Sequence, residues 1–168
     1  MKRLLTLFTL ILCFQYLYAQ PNTTIVNPED VKIARDKWGV PHIYGKTDAD
    51  VIYGLAWAQA EDNFELMQLA YAATERRAGE ILGKEGAIFD VMQFMCEADR
   101  IVAEQYDQAF SKEFKVIMGA YAQGVNDYAS MHPDEVVLKN LFPIDKKNIV
   151  VGYILQESIS VQHENFAK

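Results

Sequence analysis

The stretch Arg35–Thr47, "RDKWGVPHIYGKT", decides the fold of the N-terminal region. Asp36 and Gly39 bracket a two-residue corner in the pattern of a type I turn, with Asp at the first position and Gly at the fourth. The residues before the turn, "VKIARD", alternate apolar and polar positions as a half-buried strand does, and Pro41 suits the start or edge of a second strand. The stretch therefore predicts a β-hairpin over Val31–Gly45.

The spacing of apolar residues changes from two to three and four after the hairpin, which indicates helices. Thr47 and Asp50 form a helix-start pattern, and Gly83 is expected to end that first helix. Ser111 is expected to cap a third helix, and a fourth is expected to cover the residues from Asp145 onward. Two stripes of mostly apolar residues predict the first and second helices. They are Ile52, Leu55, Ala56, Ala60, Phe64, Met67 and Tyr71, then Val91, Phe94, Ala98, Ile101, Gln105 and Ala109. We expect an α+β chain with an N-terminal β-hairpin followed by about four helices.

The first residues have the features of a secretory signal peptide. A basic start, Met1–Arg3, precedes the uncharged apolar run Leu4–Ala19, which is too short for a membrane span. A lipid anchor on Cys13 is disfavoured, because leucine stands where a small residue should precede the cysteine. We expect residues 1–19 to be removed and residues 20–168 to form about one domain of a secreted, periplasmic protein.

Charge and cysteine content exclude several classes of partner. The net charge is −7, so we expect neither nucleic acid nor a membrane surface as a partner. Only Cys96 remains after removal of the leader, so an internal disulfide is impossible and a buried, inert thiol is expected.

Catalytic motifs that are recognisable from residues alone are absent. The chain has no G-x-S-x-G elbow and no H-E-x-x-H pair, and its three histidines are scattered. Glu61, Asp62 and Glu65 lie close together on the first helix, where a metal or acid–base role competes with a solvated helix face. The solvated face is the favoured interpretation, and no catalytic residue is assigned.

Four sequence blocks, in order, resemble the penicillin acylase family. "IARDKWGVPHI" is similar to the family's opening segment, and "GLAWAQAED" follows its G-x-x-x-A-x-x-D pattern. "RRAGEILG" is similar to its R-x-A-E-I-L-G block, although Gly79 replaces the usual alanine. "AYAQGVN" is similar to its A-Y-A-x-G-V-N segment. The stretch "AEDNFELMQ" is similar to the branch of acyl-homoserine lactone acylases.

The resemblance implies an N-terminal-nucleophile hydrolase with the αββα fold. Such enzymes are secreted precursors that cut themselves into a small and a large chain, and the large chain begins with the nucleophilic serine, whose α-amine acts as the base. The resemblance implies that residues 20–168 correspond to the small chain, truncated before the large chain. The implied reaction is hydrolysis of an N-acylated small molecule of the penicillin or acyl-homoserine lactone type, as in antibiotic or quorum-quenching chemistry. The fragment alone is expected to be inactive.

The resemblance also implies a functional role for the last helix. An ungapped match of "VGYILQESISVQHE" places Ile154, Glu157 and Ser158 on the acyl pocket, and it places Glu164 at a structural calcium whose other ligands lie on the large chain. The alternatives are that Ile154 is ordinary core and that both glutamates are solvated. A different class of function stays open, namely a non-catalytic exported helical module that keeps the acylase N-terminal region and binds a partner.

Overall fold

The computed structural model describes the backbone of residues 25–166 and the side chains of residues 25–158. The predicted signal peptide, residues 1–19, lies outside the described residues. A short 3-10 turn precedes strands β1, Lys32–Arg35, and β2, Pro41–Tyr44. The strands pair antiparallel, with Ile33 opposite Ile43, so the predicted hairpin is confirmed.

Local hydrogen bonds set the hairpin turn. The Asp36 carbonyl accepts from the Gly39 amide at 3.0 Å, and the Asp36 carboxylate accepts from the Trp38 and Val40 amides at 2.8 and 3.0 Å. The bond from Trp38 is the main reason why the pKa of Asp36 lies below its ordinary value. Gly39 has a φ of +83°, a conformation that glycine adopts without strain.

Within residues 25–166, six helices follow the hairpin, and a second 3-10 turn, Pro133–Glu135, lies between the last two. The predicted class, a hairpin followed by a mostly helical chain, is confirmed. The helices are α1 Asp48–Thr74, α2 Ala78–Leu82, α3 Lys84–Cys96, α4 Ala98–Ala109, α5 Lys112–Met131 and α6 Lys146–Phe166. None of the helices within residues 25–166 is both long and apolar enough to cross a bilayer.

Helix α1 begins at a capping box, as predicted. The Thr47 hydroxyl accepts from the Asp50 amide at 3.2 Å, and the Asp50 carboxylate accepts from the Thr47 and Lys46 amides, each at 2.9 Å. Burial acts to raise the pKa of Asp50, but these hydrogen bonds outweigh it, so the pKa lies below its ordinary value.

Two predicted helix boundaries are wrong. Helix α1 ends at Thr74 because Arg76 adopts a left-handed conformation, and Gly83 instead ends the short helix α2. The predicted second helix is interrupted at Glu97, which is also left-handed. This break shifts the buried face, so Val91 and Phe94 are exposed while Val102 and Tyr106 are buried.

The core is centred on the pair α1 and α5, with α6 packed across them. Small buried residues such as Ala56, Ala60 and Ala122 allow the two helix backbones to approach closely. A second buried cluster joins α4 to α6 through Val102, Tyr106 and their neighbours on α6. Helix α6 is therefore held on two sides.

Candidate functional site

The largest of the described surface cavities lies along α6. We name it the α6 groove, an open cleft of about 890 Å³ between α6, the end of α4 and the first half of α5. Most of its lining is apolar, and its polar groups are the carboxylate of Glu157, the hydroxyls of Tyr153 and Ser158 and the thiol of Cys96. The lining residues are Cys96, Phe110, Phe114, Met118, Val150, Tyr153, Ile154, Glu157 and Ser158.

The wall opposite α6 is built by the junction between α4 and α5. Helix α4 stops before Phe110, which is extended, and the Ser111 hydroxyl caps α5 by accepting from the Phe114 amide at 3.2 Å. The predicted cap is therefore confirmed. The junction stacks the Phe110 and Phe114 rings with their centroids 4.5 Å apart and an interplanar angle of 20°. The result is a flat aromatic surface that faces α6.

The structure brings Ile154, Glu157 and Ser158 together on the groove. Ile154 is half-buried and also packs against the core cluster between α4 and α6, so its side chain serves both surfaces. The Ser158 hydroxyl donates to the Ile154 carbonyl at 2.8 Å, and Glu157 is exposed. Their role in binding substrate stays a prediction.

Three further positions bear on the site. Tyr153 lines the groove and was not predicted, although its position next to Ile154 in the sequence was a usable signal. Cys96 is half-buried on the groove rather than fully buried. Glu164 lies on the α6 backbone, but its side chain falls outside the described side chains, so its calcium role stays a prediction.

Paired amides fix the start of α6. Asn126 donates from Nδ2 to the Ile144 carbonyl at 3.0 Å, and its Oδ1 accepts from the Ile144 amide at 2.7 Å. Asn148, in the first turn of α6, donates to the Thr74 hydroxyl at 3.1 Å. The position of the groove-lining helix therefore depends on side chains of α1 and α5.

The acidic residues on α1 join the hairpin to the helix. Arg35 pairs with Glu61 and Asp62, each at 2.9 Å, and its guanidinium also donates to the Gly39 and Ala58 carbonyls. The hydrogen bond that Arg35 donates to the Glu61 carboxylate is the main cause of the raised pKa of Arg35. Among the described residues, no group of three or more His, Cys, Asp or Glu side chains could hold a metal ion. The predicted exposed acidic face is therefore also an ion-paired one.

Other residues of the family-like sequence blocks also hold parts of the fold together. A Cβ on Gly54 would lie 2.5 Å from Ile43 Cγ2, so glycine lets the hairpin pack on α1. Arg77 donates to the Lys139 and Asn140 carbonyls, which ties α2 to the segment before α6. Gln123 accepts from two amides of the lead-in segment and donates to the Val26 carbonyl at 2.8 Å.

A second cleft, of about 570 Å³, lies between the hairpin, α1 and α5. Its polar groups bind one another. Tyr53 donates to Asp127 at 3.0 Å, and Trp57 donates to Glu61 at 3.0 Å. Burial is the main reason why the pKa of Tyr53 lies above its ordinary value. With these groups already paired, this cleft offers less for a ligand to bind than the α6 groove.

Comparisons with known proteins agree with the sequence blocks. The penicillin amidase family model matches residues 30–150. Penicillin G acylase of Escherichia coli is 30% identical over an alignment of 151 residues, and the match covers 82% of this chain and 18% of that protein. Penicillin acylase 2 proenzyme of Pseudomonas sp. (strain SE83) is 32% identical over 98 residues, which is 58% of this chain and 12% of that protein. The chain belongs to the penicillin amidase family, and its match spans less than a fifth of either relative's length.

A solved structure agrees in fold. The thermostable penicillin G acylase from Alcaligenes faecalis superposes with a TM-score of 0.57 at 22% identity, covering 75% of this chain and 71% of that chain. The predicted family and fold are thus confirmed. Membership of the branch that includes acyl-homoserine lactone acylases stays a prediction.

Proposed function

We propose that this chain is the small chain of a secreted amide hydrolase that removes an acyl group from an N-acylated small molecule. The observation that carries the proposal is the α6 groove, where three residues predicted to bind substrate lie on one wall and face stacked aromatic rings. Family membership supports the reaction class, and one relative is named a proenzyme, which supports a processed precursor. A penicillin-type or acyl-homoserine lactone-type amide is the proposed substrate.

In this proposal the chain binds the acyl group and the large chain performs the chemistry. The acyl group lies over Phe110, Phe114 and Ile154, because transfer of apolar surface from water to this wall is favourable. Glu157 stays hydrated at the exposed side, since burial of an unpaired carboxylate is costly. The large chain's N-terminal serine attacks the amide carbonyl and its α-amine takes the hydroxyl proton and delivers it to the leaving amine; water then releases the acid.

The direct test compares residues 20–168 alone with the same chain co-expressed with the large chain. We expect acid release from phenylacetyl or long-chain acyl amides only by the assembled pair, because the small chain has no activated nucleophile. Turnover by the small chain alone would contradict the assignment. A compact, inactive monomer that stays inactive with the large chain would support the binding-module alternative.

The same assay tests the groove. Ile154→Ala in the assembled enzyme is expected to change the ratio of kcat/KM between a phenylacetyl and a long-chain acyl amide by about tenfold, since the removed groups contact the acyl chain. Ile117→Ala is the matched control, because Ile117 is half-buried on α5 and does not line the α6 groove. An unchanged ratio for Ile154→Ala, or an equal change in both variants, would remove Ile154 from the pocket.

We also propose that Glu164 supplies one ligand to a structural calcium. Calcium is bound by six to eight oxygens. Among the described residues, no cluster of three or more His, Cys, Asp or Glu side chains could hold a metal ion. Most ligands would therefore come from the large chain. Glu164→Gln is expected to lower the calcium content and the Tm of the assembled enzyme, while Glu157→Gln, on the same helix, leaves both unchanged. Equal calcium content in both variants would contradict the assignment.

A further inference from the structure

Helix α3 presents an outer face of large apolar side chains to solvent. We name this surface the α3 face. Its residues are Ile88, Phe89, Val91, Phe94 and Met95, with exposed fractions of 62%, 39%, 56%, 68% and 74%. A contiguous exposed patch of this kind marks an interaction site more often than a free surface.

The α3 face also lacks charge. Between Gly86 and Cys96 the sequence has one charged residue, Asp90. Its carboxylate is bound within the chain, where it accepts hydrogen bonds from the Ala78 and Gly79 amides at 2.8 and 2.9 Å. Interfaces that are permanently covered are enriched in aromatic residues and methionine and depleted of charge at their centre. The composition of the face therefore favours an obligate partner over a transient one.

The α3 face is continuous with both sides of α6. Phe89 and Met92 line a cleft of about 280 Å³ together with Gly152 and Leu155 of α6. At the other end of α3, Cys96 follows Met95 and lines the α6 groove. A partner seated on α3 therefore also reaches the open side of the proposed acyl pocket.

We propose that the α3 face docks the large chain of the same precursor. This inference rests on the proposed function. The matched region is 18% of the Escherichia coli relative, so more than four fifths of that protein lies outside it and can supply such a chain. Continuity with the α6 groove gives the docking a functional consequence, because the chain that carries the nucleophile then sits beside the acyl group.

The test measures capture of the large chain by a tagged small chain after co-expression. The double variant Val91→Glu/Met95→Lys is expected to reduce capture by about tenfold or more, because it places charges at the centre of the interface. The matched control is Val116→Glu/Met131→Lys on α5, where the exposed fractions are 46% and 68%. The control is expected to stay within about twofold of the unmodified chain, and circular dichroism checks that both variants keep their helices.

Each outcome decides between the alternatives. Capture that survives the α3 substitutions, or that falls equally in both double variants, overturns the docking surface. A small-chain dimer that the α3 substitutions dissolve, without capture of the large chain, assigns the face to a second copy instead. A complex that depends on the α3 face and cleaves no amide refutes the proposed function and leaves the docking intact. A complex that hydrolyses the amide and whose capture is unchanged by the α3 substitutions overturns the docking surface and leaves the proposed function intact.

Discussion

Gly124→Ala is expected to lower the free energy of unfolding by about 1–3 kcal/mol, although alanine is the better helix former. A Cβ on Gly124 would lie 2.5 Å from the Tyr53 carbonyl oxygen and 3.0 Å from the Ala56 Cβ. Both are on α1 at the centre of its contact with α5, so the two helices would have to separate. Thermal unfolding followed by circular dichroism measures the effect.

Gly152→Ala is the matched control. Gly152 also lies inside a helix, but the nearest atom to its added Cβ is Thr74 Cγ2 at 3.6 Å, an ordinary contact. Alanine is therefore expected to stabilise the chain by about 0.5–1 kcal/mol through helix propensity alone. Shifts of the same sign in both variants would contradict the close approach of α1 and α5 at Gly124.

The features that could be predicted from the sequence are those set by neighbouring residues. The Asp36–Gly39 turn and the Thr47 cap each depend on hydrogen bonds that span a few residues. Residue types at those positions therefore carry the information directly. The Ser111 cap was predictable for the same reason.

Helix boundaries that depend on distant contacts were not predictable. Helix α1 ends where Arg77 turns toward the Lys139 and Asn140 carbonyls, more than sixty residues further along the chain. Glu97 breaks the predicted second helix in a left-handed conformation that is unusual for a glutamate and has no sequence signature. Once that break is missed, the phase of the apolar stripe is lost, and two residues of the exposed α3 face, Val91 and Phe94, are assigned to a buried stripe.

The candidate site, too, could be predicted only where it depends on residues that are close in sequence. Ile154, Glu157 and Ser158 lie three and four residues apart, so a helix places them on one face whatever surrounds it. The opposite wall, Phe110 and Phe114, requires the packing of α4 and α5 against α6, which periodicity cannot give. The described contacts of the residues in the family-like sequence blocks join helices and loops to one another. Asn126 is the one that bears most directly on the site.

Asn126→Ala is expected to cost about 2–4 kcal/mol of stability, because it leaves the amide and the carbonyl of Ile144 without partners. Ile144 is buried at 4% exposure, so water cannot easily replace either hydrogen bond. Since Ile144 lies just before α6, the loss also frees the start of the groove-lining helix. Chemical denaturation measures the first effect, and the ratio of kcat/KM for long and short acyl amides in the assembled enzyme measures the second.

Asn126→Asp separates the two hydrogen bonds. The ionised carboxylate still accepts from the Ile144 amide but faces the Ile144 carbonyl without a proton to donate, so the variant is destabilised at neutral pH. A protonated carboxyl can donate again, which raises the pKa of the new group in the folded state above its unfolded value. The folded state then binds the proton more tightly, so the deficit relative to the unmodified chain is expected to shrink as the pH falls from about 7 toward about 4. Comparison with the unmodified chain at each pH cancels the titration of other groups. A deficit that is constant across this range would mean that the bond to the Ile144 carbonyl contributes nothing to the stability of the folded chain.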